Sequence, residues 1–191
     1  MTAAIDDLFN RLDLEQIPAG IKKFLRRRNS DQYSSSWRYF AHAYDAGFRE
    51  LADKTLNVWP GRDYLRIPLL YLARHSLELN LKSALTEYGK TDDVEPNLND
   101  HNLLKLWVQL VASMRRWGLA LDDEWTAHCE KLLRHVHDVD PDGERFRYPM
   151  TTTGACFEVT EVDLEGLIQA YLFLELCCDC YVTMHVEGYK D

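Results

Sequence analysis

Nine consecutive residues, Arg74-His75-Ser76-Leu77-Glu78-Leu79-Asn80-Leu81-Lys82, bring four ionisable side chains into a helix whose preceding residues, Tyr64 to Ala73, are apolar on nearly every side. Burying a charge costs several kcal/mol unless it is paired, so these groups need partners elsewhere or they mark a site. On a helix, residues three or four apart share a face, and Arg74, Glu78 and Lys82 therefore form one file with Glu78 able to bridge both cations. His75 lies beside Glu78 at a three-residue step. Two chemistries fit this arrangement. One is a satisfied salt-bridge network that fixes how helices pack. The other is a polar pocket for phosphate or RNA, with Lys82, Arg145 and Arg147 as anion contacts and His75 or His101 as the acid–base group.

Two further groups are expected to reach this file after folding. His101 with Asn102 stands at a predicted helix start, where backbone N–H groups favour anions. The segment Arg145-Phe146-Arg147-Tyr148, preceded by Asp138, Asp140 and Asp142, is the second. The candidate catalytic residues are thus His75, His101 and Arg147. The candidate network or ligand residues are Arg74, Glu78, Lys82, Asn102, Asp140, Arg145 and Tyr148. Burial separates the alternatives: an enclosed, mutually paired Arg74–Glu78–Lys82 is structural, whereas an open basic pocket beside His75 or His101 favours binding or catalysis.

The elements that position these residues read as helices almost throughout. Residues 3–13 and 15–28 form two short amphipathic helices, and the break Asn29-Ser30-Asp31-Gln32 separates this N-terminal extension (1–30) from a bundle over 31–191. A long helix covers about 33–56, with Trp37, Phe40, Ala41, Tyr44, Phe48 and Leu51 at core spacing. After Trp59-Pro60-Gly61 comes the central helix, which kinks or begins at Pro68 and ends near Tyr88-Gly89. Asn99 or Asp100 caps a helix from His101 to about Trp117, and another covers about 122–137. Residues 138–160 carry turn chemistry and two aromatic-rich stretches, 145–149 and 155–159, that predict a small hairpin. Thr160 or Asp163 starts the last helix. The fold expected is an all-α, up-and-down bundle of four to five main helices with a hairpin-like insertion before the last.

The composition narrows the partners. A net charge of -9 over 191 residues argues against a protein that coats nucleic acid non-specifically, though not against a local basic patch. Five cysteines, three of them at Cys177, Cys178 and Cys180, make no disulfide framework and point to reduced thiols in a cytoplasm. No secretory signal is visible. Leu167 to Met184 is apolar and long enough to span a membrane, but Glu165, Gln169, Glu175, Asp179 and Thr183 run a polar stripe along it. That pattern assigns the helix to a core or an oligomer interface and predicts no membrane.

The order of a long helix, the Arg74 to Lys82 helix, His101-Asn102-Leu103-Leu104-Lys105-Leu106-Trp107, a further helix, Asp140 to Pro149 and a final apolar helix resembles the HEPN superfamily over residues 33–188. The resemblance implies a helical bundle, a homodimer, and an RNA- or nucleotide-binding or partner-binding role in a toxin–antitoxin or defence setting. Many members are metal-independent endoribonucleases, and others are non-catalytic. The catalytic signature, an Arg followed by a His after four to six residues, is absent: Arg38 and His42 come nearest, with three between them. That departure favours a non-catalytic member over the ribonuclease alternative. A third alternative is a structural dimer with a buried ion network.

The remaining motifs carry less. Lys22-Lys23 and Arg26-Arg27-Arg28 form the strongest basic cluster, read as a solvated helix face before a nucleic-acid contact. His135 and His137, with Cys129 and Asp138 nearby, point to opposite sides of a helix and cannot share one ion. Cys177 and Cys180 share a face but read as small core residues. No metal or cofactor is expected. Trp59 and Trp117, beside turns, are candidate partner contacts.

Overall fold

The chain divides into two units, Met1–Ser30 and Asp31–Asp191. The structure, a computed structural model, describes residues 31–58, 61, 63–92, 94–119, 124–158 and 161–188, together with Ile5, Asp7, Asn10, Leu25 and Asn29. The helices expected over 3–13 and 15–28, the basic cluster at 22–28 and Trp59 therefore lie outside the described residues, single positions excepted.

The second unit is an all-α bundle. Its helices are α1 (Trp37–Leu56), α2 (Arg66–Gly89), α3 (Leu103–Trp117), α4 (Glu124–Val139) and α5 (Leu164–Glu187). α2 packs against α1, α3 and α5, and α4 packs against α3 and α5. A central position explains why α2 buries residues on every side, from Leu69 and Leu70 through Leu77, Leu79 and Leu81 to Leu85 and Tyr88.

Local chemistry sets the ends. Ser36 caps α1 by accepting from the Tyr39 N–H at 3.1 Å, so the helix begins later than its apolar pattern. Phe40, expected in the core, is exposed, while Ala41, Phe48, Ala52 and Thr55 form the buried stripe. Pro68 sits in the first turn of α2, where its missing N–H costs nothing. α2 ends at Gly89, where the sequence placed its terminus. That residue is small because a Cβ there would stand 3.0 Å from Cδ of Pro96. Asn102, not Asn99 or Asp100, caps α3, accepting from the Lys105 N–H at 3.1 Å. Asp163 caps α5 through the Gly166 N–H at 3.1 Å.

The expected hairpin is present only at its tip. Between α4 and α5 the described residues hold a single antiparallel bridge, Met150 with Cys156, flanked by the Thr151 N–H on the Ala155 carbonyl at 2.8 Å and the Phe157 N–H on the Pro149 carbonyl at 3.4 Å. Residues 144–148 form a turn, because the N–H groups of both Arg147 and Tyr148 donate to the Glu144 carbonyl at 3.0 Å. Turn bonding consumes the groups that a strand ladder would need.

Tyrosine hydroxyls tie the helices together. Tyr171 on α5 donates to Asp45 on α1 at 3.0 Å and pairs with Ser76 on α2 at 2.7 Å. Tyr88 donates to the Tyr181 carbonyl, and Thr126 on α4 pairs with the Tyr181 hydroxyl. Trp117, a predicted partner contact, is half-buried and packs against the core beside Tyr88 and His185. Helix α5 is long and apolar enough, by length and composition, to cross a membrane. Its Tyr171, Leu174, Cys178, Tyr181 and His185 are nevertheless buried against the bundle.

Candidate functional site

The helical file on α2 closes into a network. Glu78 Oε2 accepts from Arg74 Nη1 at 2.7 Å, and Oε1 accepts from Lys82 Nζ at 2.9 Å. All three residues are 3% exposed or less. Arg74 also donates to the His101 carbonyl, and its Nε stands 3.3 Å from Asp140 Oδ2. This last contact is an ion pair without hydrogen-bond geometry, since Oδ2 has no hydrogen-bond partner while Oδ1 accepts from the Arg145 N–H. Lys82 Nζ completes its surroundings 5.1 Å over the Trp37 ring. Two buried cations thus face two buried carboxylates, Glu78 and Asp140, and the set is neutral. Burial opposes ionisation of Glu78, but hydrogen bonds from Lys82, Arg74 and His101 outweigh it and hold the carboxyl below its ordinary range.

The loop carrying Asp140 fits this network only with glycine at 143. Gly143 has φ +73°, and a Cβ there would lie 2.9 Å from Arg74 Cζ.

Outside this closed set, solvent-facing groups gather. The His101 side chain is 63% exposed, yet its Nδ1 lies 2.8 Å from Glu78 Oε1. An ionised carboxylate only accepts, so Nδ1 is the donor. His75 is half-buried, stacked on Tyr71 at 5.4 Å and met edge-on by Tyr44 at 4.5 Å. Burial holds the His75 imidazole below its ordinary value; Glu78 pulls the other way, and Arg74, Arg147 and Lys82 reinforce burial. The exposed Arg147 guanidinium is close enough to act electrostatically on both Tyr71 and His75. Its Nε donates to the Gly143 carbonyl, its plane lies 5.9 Å from the Tyr148 ring, and its terminal nitrogens have no hydrogen-bond partner among the described residues.

Several expectations change accordingly. Lys82 is enclosed and unavailable as an anion contact. Arg145 is engaged too, donating to the carbonyls of Val139 and Glu158 and lying 5.8 Å from the Phe157 ring. His101 and Asn102 do not present a bare helix N-terminus: the Asn102 side chain takes the Lys105 N–H, and Asp100 takes that of Asn102. Asp140 is buried as the counter-charge of Arg74, whereas Asp138 and Asp142 are exposed. Tyr148 is exposed beside Arg147. Tyr44, Tyr71 and Gly143 were missed as site residues. The only sequence trace of the two tyrosines is their helical spacing.

Among the described residues no group of His, Cys, Asp and Glu is arranged to hold a metal ion. Cys129 and Cys178 are buried, and Cys180, read as a core residue, is exposed. No protein-family model matches this chain, and no curated protein or solved structure is significantly similar to it.

Proposed function

We propose that this chain is a HEPN-like helical protein that binds RNA or a nucleotide without cleaving it. One juxtaposition supports this reading: an exposed, tethered Arg147 guanidinium beside the Tyr44–His75–Tyr71 rings and Tyr148. Free terminal guanidinium nitrogens suit bidentate phosphate contact, and ring faces suit stacking of unpaired bases. The neutral network behind them acts as a frame, with Arg74, Glu78 and Lys82 in a structural role.

The family likeness carries the rest of the proposal: a cytoplasmic homodimer, with or without a partner protein, in a toxin–antitoxin or defence system and not in a membrane. The outer side of α5 supports a dimer, with Leu176 59% exposed and half-buried Phe173 stacked on exposed Trp125. A Leu176→Asp variant is expected to convert a dimer to monomer in analytical ultracentrifugation. A monomeric wild type removes this part of the proposal.

A second reading has its own observation. The Glu78–His101 pair orients an exposed imidazole through Nδ1, the arrangement in which a metal-independent endoribonuclease holds its acid–base group, with Arg147 or His75 as the further candidates. The test is single-stranded RNA binding by anisotropy, and RNA cleavage in excess EDTA, for wild type, His75→Ala, His101→Ala and Arg147→Ala. Binding that is lost in folded Arg147→Ala, with no cleavage, supports the module. Cleavage abolished in folded His101→Ala replaces it with the ribonuclease. A wild type that neither binds nor cleaves leaves a structural dimerisation protein with a buried ion network.

A further inference from the structure

A cavity of about 310 Å³ opens between α2, α4 and α5, and neither Arg147 nor its rings line it. Its walls are apolar, chiefly Leu70, Leu77, Leu132, Val136, Phe146 and Leu174. That volume falls at the lower end of small-molecule sites, roughly 300–1,000 Å³. Small residues make the room: Ala73 on α2 and Gly166 and Ala170 on α5 line the space where longer side chains would cross it.

Two polar side chains reach these walls, and neither has a group to spare. Arg74 commits Nη1 to Glu78, Nη2 to the His101 carbonyl and Nε to Asp140. The Tyr171 hydroxyl is shared between Ser76 and Asp45. The interior therefore matches an apolar body, because a polar atom placed there would lose water and find no partner. The mouth is different. The exposed lining residues are His135, Glu161 and Asp163, two carboxylates beside an imidazole. Among the described lining residues the one Lys or Arg is Arg74, already matched by Glu78 and Asp140. A carboxylate head would be repelled at this mouth, and an ammonium head would be complemented.

We infer that this cavity binds a small amphipathic amine, its apolar chain between α2, α4 and α5 and its ammonium group at Glu161 and Asp163. The site is independent of the RNA reading, and the two are tested with different ligands.

The experiment is isothermal titration of the full chain with octylamine, using 1-octanol and octanoate as chain-matched comparators. Octylamine is expected to bind one-to-one and at least about tenfold tighter than octanoate, with octanol between them and the preference shrinking in high salt. Ala170→Leu fills the cavity. It is expected to keep a melting temperature at or above that of wild type and to weaken octylamine at least about tenfold. Glu161→Lys, a surface change that leaves packing intact, is expected to abolish or invert the amine preference. Absence of one-to-one binding by octylamine overturns the proposal. So do octanoate binding as tightly as octylamine, a clear loss of stability in Ala170→Leu, or an unchanged preference in Glu161→Lys.

Discussion

Replacing Glu78 by alanine tests the buried network most directly. Glu78 accepts from Arg74, Lys82 and His101 at 2.7, 2.9 and 2.8 Å, and its side chain is 4% exposed. Without it Arg74 keeps Asp140 and the His101 carbonyl, but among the described residues Lys82 keeps only the Trp37 ring face, in a site where its own side chain is 3% exposed. Breaking a buried pair from one side costs about 3–5 kcal/mol, because a charge stays buried without its partner. At about 2–4 °C per kcal/mol for a chain of this size, the melting temperature should fall by roughly 6–20 °C. The double variant Glu78→Met with Lys82→Met leaves Arg74 against Asp140, one charge against one, and should recover at least half of that loss. The assay is thermal and urea denaturation of wild type, single and double variants at neutral pH. Acid adds a check. The folded Glu78 carboxyl lies below its ordinary value of 4.5, so its contribution is complete above that pH and is lost as pH falls through the folded value. The Glu78→Ala curve should therefore be flatter than wild type on that limb. A drop of under about 3 °C in the single variant, or a double variant worse than the single, would refute the reasoning.

Three further outcomes are expected. Gly143→Ala should destabilise by about 1–3 kcal/mol in urea denaturation, since it forces a side chain to φ +73° and places a Cβ 2.9 Å from Arg74 Cζ. Tyr171→Phe should cost about 1–3 kcal/mol by removing the hydroxyl that joins Ser76 and Asp45; an unchanged midpoint would show that this bridge contributes nothing. His185 packs 4.1 Å from the Tyr88 ring, and burial holds its imidazole below the ordinary 6.5. The unfolded chain therefore takes up this proton first, and stability should decline as pH drops below about 6.5 toward the folded value, a component that His185→Phe should remove from the melting-temperature profile.

Local geometry made part of this protein legible from sequence. The four-residue spacing of Arg74, Glu78 and Lys82 is enough to place them on one helical file, because side chains one turn apart meet whatever surrounds the helix. The apolarity of the residues just before that file, Tyr64 to Ala73, marks the helix as the central element, and Asp163 was one of the two residues expected to start the last helix, which it caps. The local reading went wrong where two short-range patterns competed. Residues 145–149 alternate like a strand, but Asp140 and Glu144 hold their N–H groups in a turn.

The partners of the network were decided by tertiary structure alone. Asp140 is 66 residues from Arg74 and His101 is 23 from Glu78, and no periodicity reports a contact across such separations. The same long-range packing enclosed Lys82, engaged Arg145 on the Val139 and Glu158 carbonyls, and left Arg147 in solvent. Residues of one chemical type, all plausible anion contacts in sequence, thus acquired different roles. The cavity between α2, α4 and α5 has the same origin. Ala73, Gly166 and Ala170 are unremarkable along the chain, and they become a binding-sized space only when three helices bring them together. Composition and spacing determine which face a helix can bury; which charges end up matched, and where room is left, depends on what that face meets.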